Sequence, residues 1–328
     1  MEDMERGAKP DRLLEIFFLA MKGEGLSVKE LATHFGVSSR SITRDINAIK
    51  AFLSEHREAV NNAELEYSSV THRYYLKLDN FLTNRELLGL TEILIGSRSL
   101  GNEEIVGMIA KLKQHTSHAD RTKLENLIRK EIYHYSPVHV DCESILDNLW
   151  TVTENIERHK VITITYYKMD RKQVVHKVKP MSILFSEYYF YLIAYEYGND
   201  EFPNYFRLDR IVKIVVNRET FSKDKGQAAD EGLIRHYSQF MWYGKMRRIR
   251  FSFSGPSVQA ILDRIPTARV VEVQDGKHII EAEVNGDGIK MFLLSQGAWV
   301  EVISPKEFRD EIQKEVLLMA DRYHLSKM

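Results

Sequence analysis

Two arginines, Arg207 and Arg210, lie one hairpin beyond a run of rings, Tyr188-Tyr189-Phe190-Tyr191-Leu192. A guanidinium is a rigid fork of donors that matches a phosphate or carboxylate bidentately, and a tyrosine beside it adds a stacking face and a hydroxyl. Cation and ring interleaved in this way suit an anion that carries a ring. Period-two alternation puts Phe206, Leu208 and Arg210 on one strand face and Arg207, Asp209 and Ile211 on the other. Phe190 and Leu192 fit a buried strand, whereas Tyr191, Arg207 and Arg210 are the candidates for ligand contact. The competing arrangement is a structural network in which Asp209 pairs with Arg207 or Arg210 and no ligand binds.

A second set of donors sits on a helix near the N-terminus. From Ser38 onward, Ile42, Ile46, Ile49 and Leu53 recur at steps of four, three and four, which defines one inward stripe. The opposite face carries Ser39, Arg40, Thr43, Arg44, Asn47 and Lys50, donor-rich types that reach base edges and phosphates from a helix in the major groove. Asp45 fits an internal partner for a neighbouring cation. Upstream, Leu13, Leu14, Ile16, Phe17, Leu19 and Ala20 predict a helix over 10–22 begun by Pro10. Ser27-Val28-Lys29-Glu30 is a capping box, Leu31, Ala32 and Phe35 supply the next apolar face, and Gly36 ends that helix in a left-handed cap. Two helices around a glycine-containing turn predict a helix-turn-helix. Leu65 and Tyr67, then Tyr74, Leu76 and Leu78, alternate around a tip at 68–73 and predict a hairpin wing, with His72 and Arg73 placed for phosphates or a minor groove. Residues 10–80 resemble winged helix-turn-helix regulators, with Ser39-Arg40-Ser41-Ile42-Thr43-Arg44-Asp45-Ile46 as the matching core. Such trihelical units also serve as protein-interaction modules.

The segment 80–135 has three helical patterns, and its apolar residues exceed what one layer can bury, which points to a dimer contact. A helix over 143–158 follows. Strands are expected at 161–167, 173–178, 181–185, 188–195, 205–210 and 211–216, forming a small antiparallel sheet or barrel with turns at 168–171 and 198–200. The triplet Phe190-Tyr191-Leu192 followed by the arginine-bearing strand resembles the WYL domain of bacterial transcriptional regulators, with phenylalanine where the family has tryptophan. That resemblance covers about 143–222. It implies a helix followed by a bent Sm-like sheet, and Lys179-Pro180 holds the place of the family's basic residue before proline. The strand-borne residues Tyr166, His176, Lys179, Ser182, Tyr191, Tyr205, Arg207 and Arg210 are then expected around one anionic, ring-bearing ligand. A nucleotide or short single strand fits best, since stacked rings with interspersed cations hold single-stranded nucleic acid. Beyond 245, the order βαββαβ resembles the WCX extension that follows WYL domains, with Met291-Phe292-Leu293-Leu294 at its tryptophan position. The basic run Lys245, Arg247, Arg248 and Arg250 fits a solvated edge strand, or a wall of a partner subunit's cleft.

The expected class is thus α+β and multidomain: a winged helix-turn-helix DNA-binding domain at 1–79, a helical linker and dimerisation region at 80–142, a WYL ligand-sensing domain at 143–222 and a WCX domain at 223–328. Its length, 328 residues with 44% hydrophobic content, allows several cores. A net charge of −1 excludes a generally basic protein, so nucleic-acid binding requires a local basic face. The acidic N-terminus and the lack of a long uncharged apolar run predict a cytoplasmic location with no membrane partner. The single cysteine, Cys142, rules out an intrachain disulfide. Histidine spacing suggests no metal, and no cofactor motif stands out. These features predict a homodimeric transcriptional regulator that binds a palindromic duplex operator and responds to an anionic effector. The alternatives are a nucleotide- or nucleic-acid-processing enzyme, for which there is no phosphate loop or paired carboxylates, and a protein-interaction scaffold in a defence or damage response.

Overall fold

The computed structural model describes residues 9–57, 63–77, 84–113, 118–222, 236–238, 240–242 and 244–324. They fall into two compact units, 1–138 and 139–328. No helix among the described residues is long and apolar enough to cross a membrane.

In the first unit, α1 (Lys9–Met21), α2 (Val28–Phe35) and α3 (Ser39–Glu55) pack with the hairpin β1 (Glu64–Ser68) and β2 (Arg73–Lys77). The predicted stripe is the core: Ile42, Ile46, Ile49 and Leu53 are buried against Ile16, Ala20, Leu26, Leu31 and Leu65. Ser27 accepts from the Glu30 amide at 3.4 Å, while the Glu30 carboxylate meets Arg73 instead of completing the capping box. Gly36 closes α2 at φ 63° and ψ 30°, in the left-handed region that lacks a Cβ penalty. Ser38 caps α3 by accepting from the Ser41 amide at 3.2 Å. In the wing, Leu65 opposes Leu76 and Tyr67 opposes Tyr74, and Leu26 and Tyr74 exchange backbone hydrogen bonds that bind the hairpin to the helices. Leu78 lies outside the described residues. The helices α4 (Asn84–Ser97), α5 (Asn102–Lys113) and α6 (His118–Tyr133) bury Leu87, Ile95, Ile105, Ile109, Leu124 and Ile128 and leave Leu90, Ile93, Val106 and Leu127 exposed.

The second unit holds two open sheets. Helix α7 (Ile145–Glu157) packs on one face of β3 (Lys160–Tyr167), β4 (Gln173–Ser186), β5 (Tyr189–Glu196), β6 (Asn199–Arg207) and β7 (Ile211–Thr220). Their order is β6-β5-β4-β3-β7, every pair antiparallel. Three expectations change here. The two strands at 173–178 and 181–185 are one, β4, because Pro180 is absorbed by a register shift between Pro180 and Ser182 rather than breaking the ladder. Strand β6 ends at Arg207, and Leu208–Arg210 form a 3-10 turn, so the strand alternation at 206–211 does not hold. That turn is fixed from outside: the Asn148 side-chain amide donates to the carbonyls of Leu208 (3.2 Å) and Ile211 (2.7 Å), and the Asp141 amide donates to that of Asp209 (2.8 Å). In the second sheet, β8 (Met246–Phe253), α8 (Val258–Arg264), β9 (Arg269–Gln274), β10 (Lys277–Asn285), α9 (Gly288–Ser295), β11 (Val300–Ser304) and α10 (Lys306–Arg322) give the expected βαββαβ order with a closing helix. The strand order is β11-β8-β10-β9, so the arginine-bearing β8 is interior and not an edge. Its arginines are consumed by cross-strand and helix acids: Arg247 by Asp287, Arg248 by Glu281 and Arg250 by Glu272.

Candidate DNA-reading and ligand-binding sites

On α3 the buried stripe forces its opposite side outward, and Ser39, Arg40, Thr43, Arg44 and Asn47 are all exposed. Arg40 and Arg44 lie one turn apart and neither meets a carboxylate among the described residues. Asp45 has the internal role expected of it: its carboxylate accepts from Arg12 Nε at 2.6 Å, the two side chains 2% and 9% exposed, which pins α3 to α1. Three other expected contacts are otherwise engaged. Lys50 is half-buried with its ammonium 4.9 Å from the centroid of the Tyr74 ring. Arg73 donates to the Gly25 carbonyl at 2.8 Å and pairs with Glu30, so it braces the wing against α2 instead of standing free at the tip. His72 is exposed at φ 54° with Nδ1 3.1 Å from the Tyr67 hydroxyl.

In the second unit an open cleft of about 1280 Å³ is lined on the first sheet mainly by residues of the face opposite α7, joined by Tyr166, which also packs against the α7-side core. Cross-strand pairing explains which side chains reach it. Tyr191 opposes Arg207 and Ile193 opposes Tyr205, so these point away from α7, while Leu192 opposes Phe206 on the core side. Tyr166, Tyr191, Tyr205, Arg207 and Arg210 line the cleft. The two arginines are not equivalent. Arg207 is held bidentately by Asp209, Nε to Oδ1 at 3.1 Å and Nη2 to Oδ2 at 2.6 Å, with the side chains 17% and 3% exposed. Its guanidinium stacks 3.3 Å from the centroid of the Tyr189 ring. Burial works against the Arg207 charge, but hydrogen bonding and attraction from Asp209 outweigh it and hold its pKa above the ordinary value. Arg210, carried by the 3-10 turn, meets no acid among the described residues. Burial pushes the Tyr191 phenol up to about 12, against the opposing pull of the Arg207 charge, so it stays a neutral donor at working pH.

His176, Lys179 and Ser182 are not among the cleft residues. His176 opposes Ile164 on the α7 side and lies 2.6 Å from Glu196. Ser182 opposes Ile193 but is buried beneath the surface, and Lys179 opposes Tyr195 further along the bulged strand. The cleft also has a wall that the strand pattern missed: Lys168 and Met169 from the β3–β4 turn, and Phe240, Met241, Trp242, Lys245, Met246 and Met291. The dense aromatic and methionine content of 240–246, ahead of the first strand expected in the segment 223–328, was the signal available for it.

A trihelical unit whose third helix presents a donor-rich face, followed by a sheet with a cation- and ring-lined cleft, defines a DNA-binding regulator. Family comparison gives an HTH domain at residues 12–61, a WYL domain at 147–216 and a WCX domain at 246–320. The chain matches a WYL-domain transcriptional regulator in domain content and order. No curated protein matches the sequence. Among solved structures, it is similar to Proteasome accessory factor B/C (PafBC) of Arthrobacter aurescens at 16% identity and a TM-score of 0.29, over 95% of this chain and 49% of that one, so it spans about half of that protein's length. It is also similar to a structure titled a CRISPR Cas-related protein, at 12% identity and a TM-score of 0.38, over 98% of this chain and 92% of that one.

Proposed function

We propose that the protein binds a palindromic duplex operator as a cytoplasmic homodimer, and that an anionic, ring-bearing effector in the cleft sets its operator occupancy. The effector class is a nucleotide or a short single-stranded nucleic acid. The observation that carries this is the pairing of an unconsumed cation, Arg210, with the ring faces of Tyr166, Tyr191 and Tyr205 around one open cavity. Stacking surfaces with interspersed cations fit such a ligand. The outward face of α3 supports the duplex contact through Ser39, Arg40, Thr43, Arg44 and Asn47, with Ser38 at the helix start whose amides can meet a phosphate. The exposed apolar residues of α4–α6, Leu90, Ile93, Val106 and Leu127, support a two-fold contact between copies, which would present two reader helices to a palindrome. The division of labour follows the segments 1–79, 80–142, 143–222 and 223–328. Effector control requires that the ligand bind one arrangement of the dimer better than another.

A gel-shift series with the full chain tests this. Arg44→Ala is expected to lose operator binding by tenfold or more, as for a residue reading a base. Arg210→Ala is expected to keep basal operator binding and lose the response to added nucleotide or oligonucleotide. Loss of basal binding with Arg210→Ala would remove the separation of tasks.

A further inference from the structure

The residues Phe240–Trp242 and Gly244–Met246 form a strap that closes one side of the cleft. Most of it lies between the residues assigned to the WYL domain, which end at 216, and those of the WCX domain, which begin at 246. The strap is pinned at both ends. Met241 is buried among Leu184, Ile193, Tyr191 and Tyr205 on the first sheet. At the other end the Gly244 amide donates to Asn285 Oδ1 at 2.9 Å, and the Gly286 amide donates to the Lys245 carbonyl at 3.2 Å. A Cβ on Gly244 would stand 2.6 Å from Gly286 Cα, so the two backbones touch where no side chain fits. Phe240 and Met241 both hold φ near 50°, a conformation that persists in non-glycine residues only when surroundings enforce it. The Arg264 guanidinium of α8 lies 4.9 Å from the Phe240 ring centroid while pairing with Glu187 of the β4–β5 turn.

Between these anchors Trp242 is 51% exposed at the cleft, with Lys245 close behind it in the chain. The cleft therefore has ring faces and cations on two walls, Tyr191, Tyr205 and Arg210 on one and Trp242 and Lys245 on the other. Its volume exceeds the usual range of a few hundred to about 1000 Å³ for a single small ligand. We infer that the strap is a specificity-determining wall that takes a second ring and a second phosphate, so that the site selects a dinucleotide-sized ligand over a mononucleotide. This rests on the nucleotide-binding function proposed above and extends it to a segment that lies mostly outside both matched domains.

The test uses the full chain and two probes, a 5′-phosphorylated deoxydinucleotide (pdApdA) and deoxyadenosine monophosphate, with dissociation constants from titration calorimetry. Tighter binding of the dinucleotide by about tenfold, or about 1.4 kcal/mol, is expected. Trp242→Ala should bring it down to the mononucleotide's affinity, and Trp242→Phe should restore part of the difference. Trp150→Ala, at a 68% exposed position on α7 away from the cleft, is the control and should change neither constant. Equal affinity for the two probes, or discrimination that survives Trp242→Ala, overturns the strap's role while leaving nucleotide binding intact. Binding of neither probe overturns the nucleotide proposal and the strap's role with it.

Discussion

Arg207 and Arg210 sit three residues apart and do different work because of what surrounds each. Arg207 is clamped by Asp209 and stacked on Tyr189, so its charge is spent on holding the end of β6 against the 3-10 turn. Asp209→Asn removes the counter-charge and leaves a mostly buried guanidinium unpaired. The expected cost is about 3 kcal/mol, at the low end for stripping a buried ion of its partner because Arg207 keeps some solvent. Urea unfolding of the variant reads this directly, and an unchanged midpoint would show that the pair contributes nothing. Tyr191 gives a prediction in pH. Its phenol ionises near 10.0 when unfolded and near 12 when folded, chiefly through burial. Between these values the unfolded chain sheds the proton while the folded one keeps it, so the group's stabilising contribution is complete below pH 10 and is lost as pH rises toward about 12. Tyrosinate absorbance should show a late-titrating component, to which Tyr135 also contributes because burial raises its phenol, and Tyr191→Phe should diminish that component along with its share of the alkaline loss of stability.

The elements that position these residues differ in how far they depend on distant partners. Helix α2 ends at Gly36 with φ 63° and open space around a hypothetical Cβ, so Gly36→Ala meets no clash and its cost is backbone alone, about 1 kcal/mol. Thermal unfolding should show that modest loss, and a much larger one would mean that the turn between α2 and α3 had moved. Such local signals made the reader unit legible from sequence: the capping serines, the left-handed glycine and the stripe from Ile42 to Leu53 are all set within a few residues. The βαββαβ order of the last sheet was legible for the same reason. Where a distant group decides, the pattern misled. Pro180 resembled a strand break, but a bulge absorbs it within β4. The strand alternation through Arg210 failed because Asn148, sixty residues away, captures the carbonyls that a continuing strand would have used. Arg73 was legible as a cation at the wing but not as the partner of Glu30, which only the packing of β2 against α2 brings close. The strap wall escaped because its role comes from two sheets meeting it, and no periodicity encodes that.

At the scale of the molecule, the chain comprises two compact units with separate cores, one carrying the donor-rich helix and the other the cleft. Each cleft residue comes from the second unit, and each proposed duplex contact from the first. Operator affinity and effector affinity should therefore separate when the chain is divided at 138/139. Fragment 139–328 is expected to bind nucleotide or oligonucleotide with the parent's dissociation constant and to ignore duplex. Fragment 1–138 keeps the exposed α4–α6 surface proposed for the two-fold contact, so it is expected to bind operator with the parent's dependence on salt and without effector response. That dependence identifies the contacts. Each neutralised phosphate contributes about 0.9 to the slope of log affinity against log salt, so replacing a phosphate-bound cation in both copies of a dimer should lower the slope by about 1.8. A cation that only reads a base edge should cost affinity at a few sequence positions and leave the slope nearly unchanged. Measuring Arg40→Ala and Arg44→Ala in fragment 1–138 across a salt series would assign each residue to one task. A flat response of the parent fragment to salt would show that α3 does not grip a phosphate backbone, whatever its outward face carries.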